Sequence, residues 1–423
     1  MSQPVRILRL AAGGDGVGKL ADGRAVFVPR TAPGDLVTVR GLRPSRRFAR
    51  ATLGRLLEPG PDRVTPRCPH YTDDECGGCQ LQHLSYPAQL AARRGFAGDA
   101  LRRLARLEVT DPEIEPAERQ YGYRTKLTLA AAGPRRIGLH PYGRPRRIFD
   151  LACCHIAAPP LMELWARLRE LRSLLPAGLE RLVLRMDRRG GRHAVARVRG
   201  TEVWTRAAEL ARELERAGAP ATLWWEPEGG VARVLAAPTG GAESRPGEAG
   251  GAGPGGAPHV GVFEQVHPAM AERARAYALE RAGPVAGRRV WDLYAGIGET
   301  TARLAAAGAV VESVELDRRA VAFASATGPP AERHAGPAEE LVDRLGPPDL
   351  VVTNPPRTGM DARVTAAIAE RRPEKVIYLS CDPATLARDI VRLGTGFRLA
   401  AARCFDLFPQ TAHVETVAVL ERV

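Results

Sequence analysis

Cys381 stands in Ser380-Cys381-Asp382-Pro383, directly after the apolar run Val376–Leu379. A thiol at the end of a strand that opens on a ligand crevice is placed to act as a nucleophile; a packing cysteine more often lies inside the strand, and Cys404 is read that way. Thiolate addition to a ring is productive only if a base later takes a proton from the neighbouring carbon, so that the thiolate can leave. Glu415, in Phe408-Pro-Gln-Thr-Ala-His413-Val-Glu415, is the candidate base. It begins an otherwise apolar strand, surroundings that raise the pKa of a carboxyl. His413 is the rival base, its other role being to donate an orienting hydrogen bond.

A second set of residues reads as a cofactor site. Asp292-Leu-Tyr-Ala-Gly-Ile-Gly-Glu299 ends a strand, and Gly296 and Gly298 allow a tight turn close to a ligand. Dinucleotide folds share a G-x-G, but Thr301 occupies the place of their third glycine, and Asp292 would repel a pyrophosphate. Both features favour S-adenosylmethionine, whose sulfonium amino acid would sit near Asp292. Glu315 ends the next strand, where an acidic residue accepts both ribose hydroxyls. Asn354-Pro355-Pro356-Arg357 ends a third strand. Methyltransferases acting on exocyclic amines have an aromatic fourth residue there; Arg357 speaks against amine chemistry, and Asn354 can read a base edge or hold the cofactor.

The third set is thiols. Of seven cysteines, Cys68, Cys76 and Cys79 cluster and Cys153 and Cys154 are adjacent. The spacing Cys76-x-x-Cys79 fits zinc or iron–sulfur. Zinc ribbons usually bring a second such pair, which this chain lacks, so four thiolates around an iron–sulfur cluster fit better, with Cys153 or Cys154 as the fourth.

The elements that must position these groups fall into several domains, as 423 residues suggest. Residues 1–60 read as short strands, Val5–Leu10, Ala25–Val28 and Leu36–Arg40, separated by the turns Gly13–Gly18 and Pro33–Asp35. Such strands suit a small barrel of OB type. Residues 61–237 read as an α+β unit with the Cys-rich loop, helices over Tyr86–Leu107 and Leu161–Leu175, and strands at Lys126–Ala130 and Leu182–Met186. Residues 238–258 are Gly/Pro-rich, a flexible linker or surface loop. In 259–423 short apolar strands alternate with helices, which predicts a mostly parallel, doubly wound Rossmann-like sheet binding its ligand at the strand ends. The net charge of +13 is carried almost wholly by arginine and points to nucleic acid. No apolar run suggests a membrane span or a secretory signal, so the expected location is the cytoplasm.

Taken in order, DLYAGIG, NPPRTGM, YLSCDPATLARD and FDLFPQTAHVE resemble the RNA uracil-C5 methyltransferases. The N-terminal GGDGVGKLADGRAVFVPRTAPGDLV resembles their TRAM domain, an OB-like RNA-binding barrel, and Cys68-Pro-His-Tyr…Cys76-Gly-Gly-Cys79 resembles their iron–sulfur loop. The resemblance implies Cys381 as nucleophile, Glu415 as base, and Gln265, Tyr294, Glu315 and Asn354 as contacts to S-adenosylmethionine. It implies a 4Fe-4S cluster on Cys68, Cys76, Cys79 and Cys154, the last because Cys154-His155-Ile156-Ala157 matches the family's pattern. His267 stands where the family has Asn, and Glu299 where Asn is frequent. Asn354, where most members have Asp, and the TRAM domain favour 23S ribosomal RNA as partner, with transfer RNA (uracil 54) the alternative, and the resemblance suggests a monomer. A non-catalytic RNA-binding protein with a methyltransferase-like fold is the further alternative.

Overall fold

The computed structural model describes residues 4–238 and 261–423; the Gly/Pro-rich stretch from 239 to 258 lies outside them. Five strands, β1 (Val5–Leu10), β2 (Gly16–Lys19), β3 (Ala25–Val28), β4 (Leu36–Pro44) and β5 (Phe48–Glu58), close into a barrel in the order β1-β2-β3-β5-β4. Alternating residues such as Val5, Ile7, Val26, Val28 and Val37 fill it. Of the stretch Gly13–Gly18, expected as a turn, Gly13 and Gly14 do turn, with φ 98° and 91°, while Gly16–Gly18 belong to β2. The glycines of β2 answer to crowding inside the barrel, since a Cβ on Gly16 would lie 2.0 Å from Thr31 Oγ1.

A short helix α1 (Pro69–Thr72) follows in the Cys-rich loop, then α2 (Tyr86–Arg103) and β6 (Glu113–Glu115). The central unit proper comprises β7 (Lys126–Ala131), β8 (Ile137–Leu139), β9 (Phe149–Asp150), α3 (Pro159–Glu170), β10 (Leu179–Met186), β11 (Arg192–Val198), α4 (Ala207–Arg216), β12 (Thr222–Glu226) and β13 (Arg233–Ala236). Its seven strands run in the order β13-β12-β11-β10-β7-β8-β9. Trp165, Leu168, Leu210 and Leu214, from α3 and α4, are buried in its core. The helix expected over Leu161–Leu175 ends at Glu170 and gives way to a 3-10 turn at Arg172–Leu174.

The last unit runs α5 (Pro268–Ala282), β14 (Arg289–Leu293), α6 (Glu299–Ala306), β15 (Val310–Glu315), α7 (Arg318–Thr327), β16 (Glu332–Ala335), α8 (Ala338–Leu341), β17 (Leu350–Thr353), α9 (Ala362–Arg371), β18 (Lys375–Ser380), α10 (Pro383–Leu393), β19 (Phe397–Phe405) and β20 (Glu415–Arg422). Eight strands form one sheet in the order β16-β15-β14-β17-β18-β20-β19-β6. The pairs from β16 to β18 are parallel, whereas β20 is antiparallel to both β18 and β19. The far edge, β6, lies between residues 61 and 237 in sequence yet pairs with β19. Core residue Leu101 of α2 packs in the same cluster as Leu386 and Ile390 of α10. The segment from α2 to β6 thus belongs structurally to the C-terminal sheet, because its apolar face has its partner there. No helix among the described residues is long and apolar enough to cross a membrane.

Candidate active site

A cleft of about 1170 Å³ opens at the carboxyl ends of the parallel strands, and Gln265, Tyr294, Glu315, Asn354, Cys381 and Glu415 all line it. Cys381 directly follows β18 and precedes α10. Asp382 caps α10 by accepting from the backbone N–H groups of Ala384 and Thr385, at 2.9 and 3.1 Å, and Ser380 Oγ donates to the Asp382 carbonyl at 2.9 Å. Pro383 supplies the first helical residue. The motif is therefore a rigid strand-to-helix corner with the thiol at its apex, at a helix N-terminus that favours negative charge.

Across the antiparallel ladder, Leu379 faces Val417 and Ser380 faces Thr416. Cys381 follows Ser380 directly and Glu415 precedes Thr416, so the two flank the end of the ladder; both line the cleft, and the Glu415 carboxyl acts on the Cys381 thiol. Glu415 is buried, its Oε2 has no hydrogen-bond partner among the described residues, and burial pushes its pKa up to about 8. Burial, with the nearby Glu415 carboxyl second, raises the Cys381 thiol; the Arg357 guanidinium acts the other way. Arg357 therefore has a role the sequence hid, because its position was informative only as a missing aromatic. Its Nη2 donates to His413 Nε2 at 3.1 Å. With burial, that cation presses the His413 pKa down to about 4. His413 Nε2 is thus an engaged acceptor, whereas Glu415 Oε2 has no partner among the described residues.

On the cofactor side, Glu315 takes the backbone N–H of Gly296 on Oε2 and that of Asp317 on Oε1, both at 2.8 Å. A carboxylate has about four lone-pair positions, so two remain to accept a ribose diol. Thr301 is explained by Asp292: its hydroxyl donates to Oδ2 at 2.5 Å, while complete burial lifts the Asp292 pKa to about 6. Tyr294 has φ 61°, the strained corner that turns the chain off β14. His267, of uncertain role in the sequence, caps α5 by accepting from Met270 N–H at 3.4 Å and stacks on Tyr123 with ring centroids 4.8 Å apart. Glu299 forms ion pairs with Arg188 and Arg275.

Cys68, Cys76, Cys79, Cys153 and Cys154 line a smaller cavity of about 120 Å³, and Gly78 and Arg124 line both it and the cleft. Burial raises the thiols of Cys76 (to about 11), Cys79 and Cys154, and the neighbouring thiols add to the rise. Such groups become thiolates when a bound cation takes their charge. Cys154 packs with Cys68 and Cys79 in one apolar cluster, whereas the groups acting on Cys153 are Cys68 and Arg169. His70 fixes this turn, with Nε2 accepting from Ala152 N–H at 2.9 Å and Nδ1 2.7 Å from Asp74.

Two family profiles match the chain: the TRAM domain over residues 2–53 and tRNA (Uracil-5-)-methyltransferase over residues 348–423. An RNA methyltransferase of Thermosynechococcus vestitus is 33% identical, the match covering 98% of this chain and 97% of that one. The 23S rRNA (uracil(1939)-C(5))-methyltransferase RlmD of Dechloromonas aromatica is 30% identical over 95% of each chain. Among solved structures, the tRNA (uracil-54, C5)-methyltransferase of Pyrococcus abyssi, in complex with S-adenosyl-L-homocysteine, superposes with a TM-score of 0.71 at 21% identity, covering 98% of this chain and 99% of that one. That likeness is one of fold. With a barrel, a Cys-rich central unit and a thiol–carboxyl pair at the mouth of a doubly wound sheet, the chain belongs to the RNA uracil-C5 methyltransferase family.

Proposed function

We propose that this chain methylates C5 of a uracil in 23S ribosomal RNA, with Cys381 as nucleophile and Glu415 as base. The observation that carries the reading is their meeting just beyond the end of the β18–β20 ladder, where Glu415 acts on the Cys381 thiol and its own Oε2 has no partner among the described residues. Cys381 adds as thiolate to C6 of the ring, Arg357 favouring its charge, and C5 becomes nucleophilic. S-adenosylmethionine, when bound, supplies an electrophilic methyl group to that carbon. Glu415 then takes the C5 proton, the C5–C6 double bond re-forms, and the thiolate leaves. Gln265, Tyr294, Glu315 and Asn354 hold the cofactor, Glu315 by its remaining lone pairs.

Cys68, Cys76, Cys79 and Cys154 hold a 4Fe-4S cluster in this reading. These four thiols line one small cavity, and the single Cys76-x-x-Cys79 pair lacks the second such pair that zinc ribbons usually bring. The cluster braces the central unit, which together with the barrel grips RNA while the target base turns out into the cleft. The protein works as a monomer in the cytoplasm. Relatives named for 23S rRNA at 30 and 31% identity support the choice of RNA.

Mapping 5-methyluridine in total RNA of a deletion strain tests this. Loss of 5-methyluridine from 23S rRNA is expected. Loss of position 54 in transfer RNA instead would move the substrate, and an unchanged map would favour a protein that only binds RNA.

A further inference from the structure

Arg188 sits on the turn between β10 and β11, in the central unit, half exposed. Its Nε lies 2.9 Å from Glu264 and its Nη2 2.7 Å from Glu299. Both carboxylates line the cleft. Glu264 immediately precedes Gln265 on the segment entering α5, and Glu299 opens α6 directly after the Gly296–Gly298 turn. One guanidinium from another unit therefore ties the two chain segments between which the cofactor would lie.

The turn that presents Arg188 is itself braced from below. Asp187 Oδ1 accepts from the N–H groups of Arg189 and Gly191, each at 2.8 Å, and its Oδ2 lies 3.1 Å from His193 Nε2. The indole N–H of Trp224 donates to His193 Nδ1 at 3.1 Å, which assigns the imidazole proton to Nε2. Trp224 and His193 are buried and take no part in the cleft; what they fix is the turn. Each carboxylate is also held by a second arginine. Arg185 pairs with Glu264 and donates to the Val262 carbonyl at 3.1 Å, and Arg275 pairs with Glu299 at 2.5 Å. Arg188 pairs with both.

We propose that Arg188 is a positioning residue for the methyl donor: the central unit, through this one side chain, sets the spacing between the Gln265 segment and the glycine turn. The inference rests on the cofactor reading above. A single exposed ion pair is worth little, but two pairs made by one fork on a preformed turn lose less entropy per bond. Arg188→Ala is expected to weaken cofactor binding roughly three- to tenfold.

The test is calorimetric titration of the full chain with S-adenosyl-L-homocysteine, for wild type, Arg188→Ala, Glu299→Gln and the double variant, in low and high salt. Each single change should weaken binding, the double change should be no worse than the weaker single, and high salt should narrow the gap between wild type and Arg188→Ala. In methylation assays KM for the donor should rise while kcat at saturation holds, and Arg188→Lys should restore part of the loss. Unchanged binding in Arg188→Ala, or strictly additive losses, overturns the bridge alone. A wild-type chain that binds no S-adenosyl-L-homocysteine overturns both the bridge and the proposed function.

Discussion

Burial at the floor of the cleft, with Oε2 unpartnered among the described residues, pushes the Glu415 pKa from 4.5 up to about 8, and the shift acts on turnover and on stability with opposite signs. The deprotonated form removes the C5 proton, so turnover should climb as pH rises through about 8. For stability the folded pKa lies above the unfolded one. The contribution of Glu415 is then fully present below pH 4.5 and is lost as pH rises through about 8. Glu415→Gln should therefore melt higher than wild type at pH 9 and level with it at pH 4. The same variant should lower turnover on the order of 10²–10⁴-fold and accumulate a covalent RNA–protein adduct, visible as a denaturation-resistant band. Cys381→Ala should abolish both turnover and adduct; full activity in that variant would sink the thiolate mechanism. At the thiol cavity, Cys154→Ser should lower iron content and the visible absorbance of the purified protein, whereas Cys153→Ser should leave both near wild type. Equal losses would make Cys153 a ligand.

The elements that carry the site were the most legible part of the chain. Runs such as Val376–Leu379 and Leu350–Val352 are apolar throughout, as strands buried on both faces must be, and each leads to a residue that a packing argument cannot explain. What escaped were strands whose composition is indifferent. Phe-Arg-Leu-Ala-Ala-Ala-Arg-Cys-Phe of β19 is rich in alanine and arginine, good helix formers, and is a strand because β20 pairs along its whole length. Strand β5 has the same character. The partners inside a loop are equally invisible locally. Gly359 has φ 75°, and a Cβ there would lie 2.3 Å from Arg388 Nη2 and 2.5 Å from Asp389 Oδ2. Asp389, buried in α10, accepts from Met360 N–H at 2.7 Å and from the Tyr378 hydroxyl at 2.8 Å, so it ties the loop after Asn354 to β18. Gly359→Ala should strain that tie, costing about 1–3 kcal/mol in denaturant unfolding, and should lower turnover through the displaced Asn354–Arg357 segment. A variant as stable and as active as wild type would show that the loop yields without consequence.

Across the whole molecule, the units meet at the segment Asp406–His413, which leads into Glu415. The Cys-rich loop reaches it through Gln80 and Leu81, whose N–H groups donate to the Gln410 carbonyl at 3.1 and 3.0 Å. Tyr123 of the central unit donates to the Pro409 carbonyl at 2.9 Å. The barrel leans on the same loop, with Arg30 donating to the Cys76 carbonyl at 3.0 Å. From α2, Arg93 pairs with Asp406 at 3.0 Å, both side chains wholly buried, and also donates to the carbonyls of Phe408 and Thr411. The Arg93 contacts join residues more than 300 apart in sequence, and nothing local in either segment shows such a partner. Removing one member of a buried pair leaves the other charge without compensation, at about 3–5 kcal/mol, whereas removing both can be nearly neutral. Arg93→Met should therefore destabilise the protein by that order, and Arg93→Met with Asp406→Leu should recover much of the stability. Activity should not follow, because the double variant still lacks the Arg93 bonds to Phe408 and Thr411 and the 2.7 Å bond from the Tyr86 hydroxyl to Asp406. Denaturant unfolding measures the first effect and the rate of covalent adduct formation the second. If adduct formation recovers in step with stability, the α2 pair serves the fold alone; if it stays slow in a stable double variant, α2 sets the position of the segment that delivers Glu415 to Cys381.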